Sequence, residues 1–259
     1  MHAAAPARPT PRPQALPALL ARGLAKRYGE RRALEGVDLS VPAGAAFGLV
    51  GANGAGKTTF IKCALDHCAP DAGSVALFGA PSRDPAARAR LAYLPERFSP
   101  PHYLRGAEFL EMAAGLAGAR FARERAERVA AELELDPAAL ERPVRELSKG
   151  MTQKLGLAAC FLPEKDFYLL DEPMSGLDPA SRIAVKAILA RLHREGRTLF
   201  FTSHVLADVD ELCNAIAVLD GGRIRFHGEP RALCARHGEA SLERAFLKCV
   251  RGEAAAGAG

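Results

Sequence analysis

Residues 51–58 read Gly-Ala-Asn-Gly-Ala-Gly-Lys-Thr, the G-x-x-x-x-G-K-T spacing of a loop built to hold phosphate. Glycines let such a loop curl until its backbone N–H groups point inward, at the positive end of the helix that follows. Gly51, Asn53, Gly54 and Gly56 are the expected cradle. Lys57 would set a cation on the β- and γ-phosphates, Thr58 would offer its hydroxyl to Mg²⁺, and Thr59 would complete the contacts. A second cluster, Phe167-Tyr-Leu-Leu-Asp171-Glu172, is an apolar run ending in two carboxylates. Beside a phosphate loop, the end of a strand is where Mg²⁺ must be held, which suits Asp171. Glu172, one residue on, is placed to orient and deprotonate an attacking water.

These groups need elements to position them. The short apolar run Ala45–Val50 predicts a buried strand before the loop, and a helix is expected over Lys57–Cys68 after it. Before that, Leu19–Leu24, Arg32–Leu34 and Val37–Val41 predict short antiparallel strands, separated by Tyr28-Gly29-Glu30 and closed by Pro42-Ala43-Gly44. Further strands are expected at Ser74–Phe78, Leu91–Leu94, Asp166–Asp171, Arg197–Thr202 and Ala215–Leu219. Residues 105–160 read as helical, with Phe109, Met112, Ala113 and Leu116 on one face and Val129, Ala130 and Leu133 on another. Asp178-Pro179 is an N-cap and first-turn pair for a helix reaching about Glu195. Strands alternating with helices imply a mostly parallel sheet with its ligand at the carboxyl ends.

Composition narrows the function classes. With 49% hydrophobic residues the chain can bury a real core, and 6% aromatics with no Trp disfavours a carbohydrate binder. The net charge of +5 is spread without basic runs, so no nucleic-acid partner is expected. Six cysteines form no CxxC pair. Cys63, His67 and Cys68 lack a second cluster to complete a tetrahedral metal set, so the cysteines read as reduced packing residues. Residues 1–17, Ala/Pro-rich, read as a flexible tail without the apolar core of a signal peptide. The longest charge-free stretch, Leu39–Gly56, carries Pro42 and glycines and does not read as a membrane span.

The phosphate loop, the Asp171-Glu172 strand, Leu147-Ser-Lys-Gly-Met151, Ser175-Gly-Leu-Asp178 and Thr202-Ser-His204 together resemble the ATPases of the ABC (ATP-binding cassette) family, in order and spacing. The resemblance covers roughly residues 18–230. It implies an α/β P-loop NTPase core with a mostly parallel sheet, an N-terminal antiparallel β subdomain and an α-helical subdomain inserted at about 98–160. A short C-terminal helical extension and flexible end would occupy 231–259. The resemblance also assigns roles. Tyr28 resembles the aromatic that stacks on adenine. Ser148 and Gly150 resemble the signature that grips the γ-phosphate of ATP on the opposite subunit, and Asp178 lies where a loop crosses that interface. His204 resembles the residue that holds the water and Glu172 in line.

The family implies ATP and Mg²⁺ as ligands, a head-to-tail dimer of ATPase subunits, and separately encoded integral-membrane permease subunits, with this chain cytoplasmic and peripheral on the cytoplasmic face of the membrane. Two departures, Lys149 in the signature and Glu96 where the family usually has Gln, are similar to type-2 exporters. Glu96 keeps an oxygen for the metal and adds a charge. The helical segment around residues 97–120, which follows it and opens on the apolar, turn-rich stretch of Phe98, Pro100, Pro101 and Tyr103, is the expected docking surface for the permease. A soluble non-transport ABC ATPase is the alternative. Ribosome-acting members usually carry two cassettes, and chromosome ATPases need a coiled coil for which the interval from Lys57 to Ser148 has no room.

Overall fold

The computed structural model describes residues 16–252. Most of the tail expected over 1–17, and the end expected at 253–259, lie outside the described residues. The chain runs β1 (Leu19–Tyr28), β2 (Arg31–Val41), β3 (Ala46–Val50), α1 (Lys57–Ala64), β4 (Ala72–Leu77), β5 (Ala80–Pro81), α2 (Pro85–Arg88) and β6 (Leu91–Leu94). A helical insertion follows: α3 (Gly106–Leu116), α4 (Arg123–Glu132), two 3₁₀ turns at Pro137–Leu140 and Val144–Glu146, and α5 (Lys149–Phe161). Then come β7 (Phe167–Asp171), α6 (Pro179–Arg194), β8 (Thr198–Thr202), α7 (Leu206–Leu212), β9 (Ala215–Asp220), β10 (Arg223–Gly228), α8 (Pro230–His237) and α9 (Leu242–Arg251).

Two sheets result. One is antiparallel, in the order β2-β1-β4-β5. The other runs β10-β9-β3-β8-β7-β6, parallel except for β10. β2 is continuous where two short strands were expected. Gly36, at φ 64, sits between Leu34 and Val37, and the pairing with β1 shifts register instead of ending. Helix α1 stops at Ala64, four residues short of the expected Cys68, because the chain reverses at Asp66, φ 60. The N–H groups of His67 and Cys68 bond back to the Lys62 carbonyl.

Successive residues on the parallel strands face opposite cores. Phe47, Leu49, Phe167, Leu169 and Phe200 join α1 (Phe60, Ile61) and the antiparallel sheet (Leu19, Leu24, Leu34) in one cluster. Helix α1 is therefore clamped between the two sheets. Val50, Tyr168, Leu170, Leu199 and Phe201 face the other way, onto α5, α6 and the insertion, and Leu233, Leu242 and Ala245 of α8 and α9 complete that core. Each fully buried Phe contributes about 1.5–3 kcal/mol, enough to fix the strand ends that carry the polar groups.

On α3 the buried residues are Phe109, Leu110 and Ala114, while Met112 is 38% and Leu116 83% exposed. The expected face was rotated, because apolar residues ring this helix and periodicity alone cannot choose among them. On α4, Ala126 and Ala130 face inward, with Leu133 buried just beyond.

Candidate functional site

The adjacent parallel strands β3, β8 and β7 deliver their carboxyl ends to one place. The loop after β3 turns on Gly54 (φ 81) and Gly56 (φ 115), a region L-residues avoid. A Cβ on Gly51 would lie 2.3 Å from the Leu219 carbonyl oxygen, and one on Gly56 2.4 Å from that of Ala33. Glycine is thus required for both conformation and space. Lys57 opens α1 and folds back over the loop, donating from Nζ to the carbonyls of Gly51 (2.6 Å) and Ala52 (3.3 Å). Burial lowers its pKa, and the carboxylates of Glu172, Asp171 and Glu96 oppose that shift.

Asp171 ends β7. Its Oδ1 accepts from Thr202 Oγ1 at 2.6 Å, and the same Thr202 oxygen accepts from the Glu172 backbone N–H at 2.9 Å. Its Oδ2 is buried without a partner. Burial, with Glu96 and Glu172 nearby, raises the Asp171 pKa against the pull of Thr202 and Lys57. An unpartnered carboxylate oxygen among further carboxylates is a poor arrangement in isolation and a good one for a hard divalent cation. Glu172 sits at φ 52, strained for a non-glycine residue. Its carbonyl accepts from the Ser175 N–H at 3.0 Å. Its Oε2 lies 2.8 Å from His204 Nδ1, within hydrogen-bonding distance.

These groups line one cleft of about 680 Å³, which includes Tyr28, Asn53, Gly54, Gly56, Lys57, Thr58, Thr59, Glu96, Asp171, Glu172 and His204. Gly51 does not line the cleft, and its carbonyl accepts from Lys57 Nζ. Tyr28 is half exposed, its hydroxyl 3.7 Å from Cys68 Sγ and its ring under Lys26 Nζ at 5.7 Å. Ser148, Gly150 and Asp178 do not line the cleft. Ser148 is the exposed N-cap of α5, accepting from Met151 N–H at 3.2 Å. Gly150 packs on the loop around Gly176, where a Cβ would lie 3.2 Å from the Gly176 carbonyl. Asp178 caps α6, accepting from the N–H and hydroxyl of Ser181 at 3.0 and 2.6 Å.

Sequence reasoning missed three contributors. Thr202, wholly buried, bridges the two catalytic-pair candidates; its place one residue before Ser203-His204 was visible, but its partner was not. Arg31 lines the cleft and donates from Nη2 to the Gly54 carbonyl at 2.9 Å, and Ser175 lines it as well. Phe98 is half-buried. Its ring meets Phe109 edge-on at 5.6 Å and fills the space over Gly156, where a Cβ would lie 2.8 Å from it.

Residues 34–175 match the ABC transporter family. An uncharacterized ABC transporter ATP-binding protein of Nostoc sp. is 41% identical over 194 residues, covering 74% of this chain and 58% of the relative. Nod factor export ATP-binding protein I of Ralstonia nicotianae is 36% identical over 223 residues, 84% of this chain and 68% of that protein. The daunorubicin/doxorubicin resistance ATP-binding protein DrrA of Streptomyces peucetius is 39% identical over 212 residues, covering 80% and 63%. The chain spans little more than half the length of some of these relatives, 58% and 56% of two cyanobacterial ones. Among solved structures, the ATP-binding subunit of an ABC transporter superposes with a TM-score of 0.79 at 29% identity, over 90% of this chain and 99% of that one. A dimeric bacterial ABC transporter cassette, at 21% identity over 82% and 98%, shares the fold with a TM-score of 0.75.

Proposed function

The chain belongs to the ABC transporter family, and from that premise we propose that it binds and hydrolyses Mg-ATP to power a membrane exporter. The observation that carries this reading is the convergence of Lys57, Asp171, Glu172 and His204 on one cleft with a buried carboxylate oxygen left open. Tyr28 takes the adenine, and the loop from Gly51 to Thr59 takes the phosphates, Lys57 exchanging its carbonyl partners for phosphate oxygens. Thr58, Asp171 and Glu96 would hold Mg²⁺, whose chemistry is to neutralise charge developing on the β- and γ-phosphates. Glu172 accepts the proton of the attacking water, and His204, 2.8 Å from it, fixes its carboxylate. Substituting Lys57→Ala should abolish turnover and weaken ATP binding; wild-type affinity and rate in that protein would overturn the reading.

Ser148, Gly150 and Asp178 are exposed or partly exposed and outside the cleft, which supports a role in trans. Two subunits, head to tail, would each lend the amino end of α5 to the other's ATP. The ATPase unit would be residues 18–230, with the insertion at 98–160 as its coupling arm. Mixing Ser148→Ala with Lys57→Ala subunits should restore partial activity that neither has alone; a mixture as inactive as its parts would contradict this.

No helix among the described residues is long and apolar enough to cross a membrane. The membrane-spanning partners are proposed to be separate permease subunits, with this chain peripheral on their cytoplasmic face. Tyr103, Met112 and Leu116, 75%, 38% and 83% exposed, give the insertion an apolar surface beyond the Glu96 loop, and we place the permease contact there. The names of relatives that export Nod factors or confer daunorubicin resistance support export as the direction.

A further inference from the structure

Two thiols lie behind the nucleotide cleft and take no part in the proposed chemistry. Where the chain reverses after α1, Cys68 returns over the helix it has just left. Its N–H bonds to the Lys62 carbonyl at 3.3 Å, and its Sγ lies 3.4 Å from that of Cys63. Cys63 is 2% exposed and Cys68 is half-buried. Among the described residues no metal-binding group of three His, Cys, Asp or Glu side chains forms here or elsewhere. On its far side Cys68 Sγ is 3.7 Å from the hydroxyl of Tyr28, whose ring lines the cleft.

We propose that Cys63 and Cys68 form a reversible disulfide, a modification site that adjusts nucleotide affinity through Tyr28. The sulfurs need to close by little more than 1 Å to reach a bond of about 2.05 Å. The link would join residues on one short reversal, so β1, β2 and the phosphate loop need not move.

The oxidant is a low-molecular-weight disulfide. The Cys68 thiolate attacks one of its sulfurs, forming a mixed disulfide and releasing one small thiolate. The Cys63 sulfur, losing its proton to solvent or to that thiolate, then displaces the second small thiol. Two protein thiols are oxidised, and one small disulfide is reduced to two thiols. Burial pushes the Cys63 thiol up to about 12, so half-buried Cys68 meets the oxidant first and Cys63 resolves the intermediate.

The Tyr28 hydroxyl donates to Cys68 Sγ, and closing the bond turns that acceptor into a disulfide sulfur drawn toward Cys63. The Tyr28 hydroxyl, which also bonds the Thr59 side chain, loses one of the partners that, with Lys26, hold the ring at the mouth of the cleft. One weak hydrogen bond sets the scale, so ATP affinity should fall by about three-fold.

The inference rests on Tyr28 as a nucleotide contact, and the experiment separates the two. The full chain is equilibrated in glutathione buffers of increasing oxidation, and its disulfides are mapped by peptide mass. Affinity is read with a fluorescent ATP analogue before oxidation, after it, and after re-reduction. A Cys63–Cys68 link with a reversible affinity loss, absent in Cys68→Ser and Cys63→Ser, is the expected result. Failure of that link to form, or its formation with unchanged affinity, would overturn the proposal. A reduced chain that binds no nucleotide would overturn the nucleotide reading instead, and the peptide map would still decide whether the pair is reactive.

Discussion

Asp171 and Asp208 are buried almost equally, at 2% and 3% exposure, and their surroundings are opposite. Asp208, on α7, has both oxygens taken from α6: Oδ2 by Arg182 Nη2 at 2.5 Å and Oδ1 by Lys186 Nζ at 2.9 Å. Lys186 reaches on to Glu211 at 2.5 Å. Asp171 has one oxygen held by Thr202, the other unpartnered, and carboxylates for neighbours. A buried carboxylate with both oxygens satisfied ties two helices together. One with an open oxygen holds a place for a cation, and the apo fold is less stable for it.

Removal should therefore act in opposite directions at the two sites. Asp208→Ala strands the partly buried Arg182 guanidinium and leaves Lys186 with Glu211 alone, and should destabilise the fold by about 2–3 kcal/mol. Chemical denaturation reads this directly, and an unchanged midpoint would dissolve the contrast.

Asp171→Asn keeps the bond from Thr202 and deletes the charge, so it should stabilise the nucleotide-free protein by about 1 kcal/mol while destroying Mg-dependent turnover. The gain has a pH signature. The folded-state carboxyl titrates above the unfolded one, so the wild type loses stability as pH rises from the ordinary Asp range through the raised folded value. The advantage of Asp171→Asn should be near zero in acid and full at neutral pH. An advantage independent of pH would show that charge is not its cause.

The smallest effect is expected at Glu96, a third carboxylate acting on Lys57 and Asp171. Glu96→Gln keeps the oxygen and removes the charge. ATP affinity of the isolated subunit should hardly change, while the Mg²⁺ concentration giving half-maximal activity shifts. Superimposable Mg²⁺ titrations would reduce Glu96 to a solvated side chain.

Legibility in the sequence also divides along this line. The phosphate loop was readable because its conformation needs glycine at fixed positions, and the Asp171-Glu172 strand because apolar residues run straight into charge. Cap and turn chemistry placed the start of α6 at Asp178-Pro179. What depends on distant packing was not readable. Thr202 and Asp171 are 31 positions apart, and nothing local announces that the Thr202 hydroxyl donates to Asp171. The buried face of α3 was misjudged, and half-buried Phe98 packs on Phe109, since an apolar residue before a helix can serve a core as well as a partner. The meeting of Glu172 and His204 was accessible only through the family resemblance.

In the proposed function Glu172 is the base of an ATPase whose phosphate loop, in the same cleft, binds the nucleotide without it. Glu172→Gln tests it most directly, with ATP affinity, steady-state hydrolysis and oligomeric state measured on one preparation. Affinity should survive, hydrolysis should fall on the order of 10²–10⁴-fold, and ATP should drive the variant into a lasting dimer. Turnover at the wild-type rate by a monomeric Glu172→Gln protein would contradict the account.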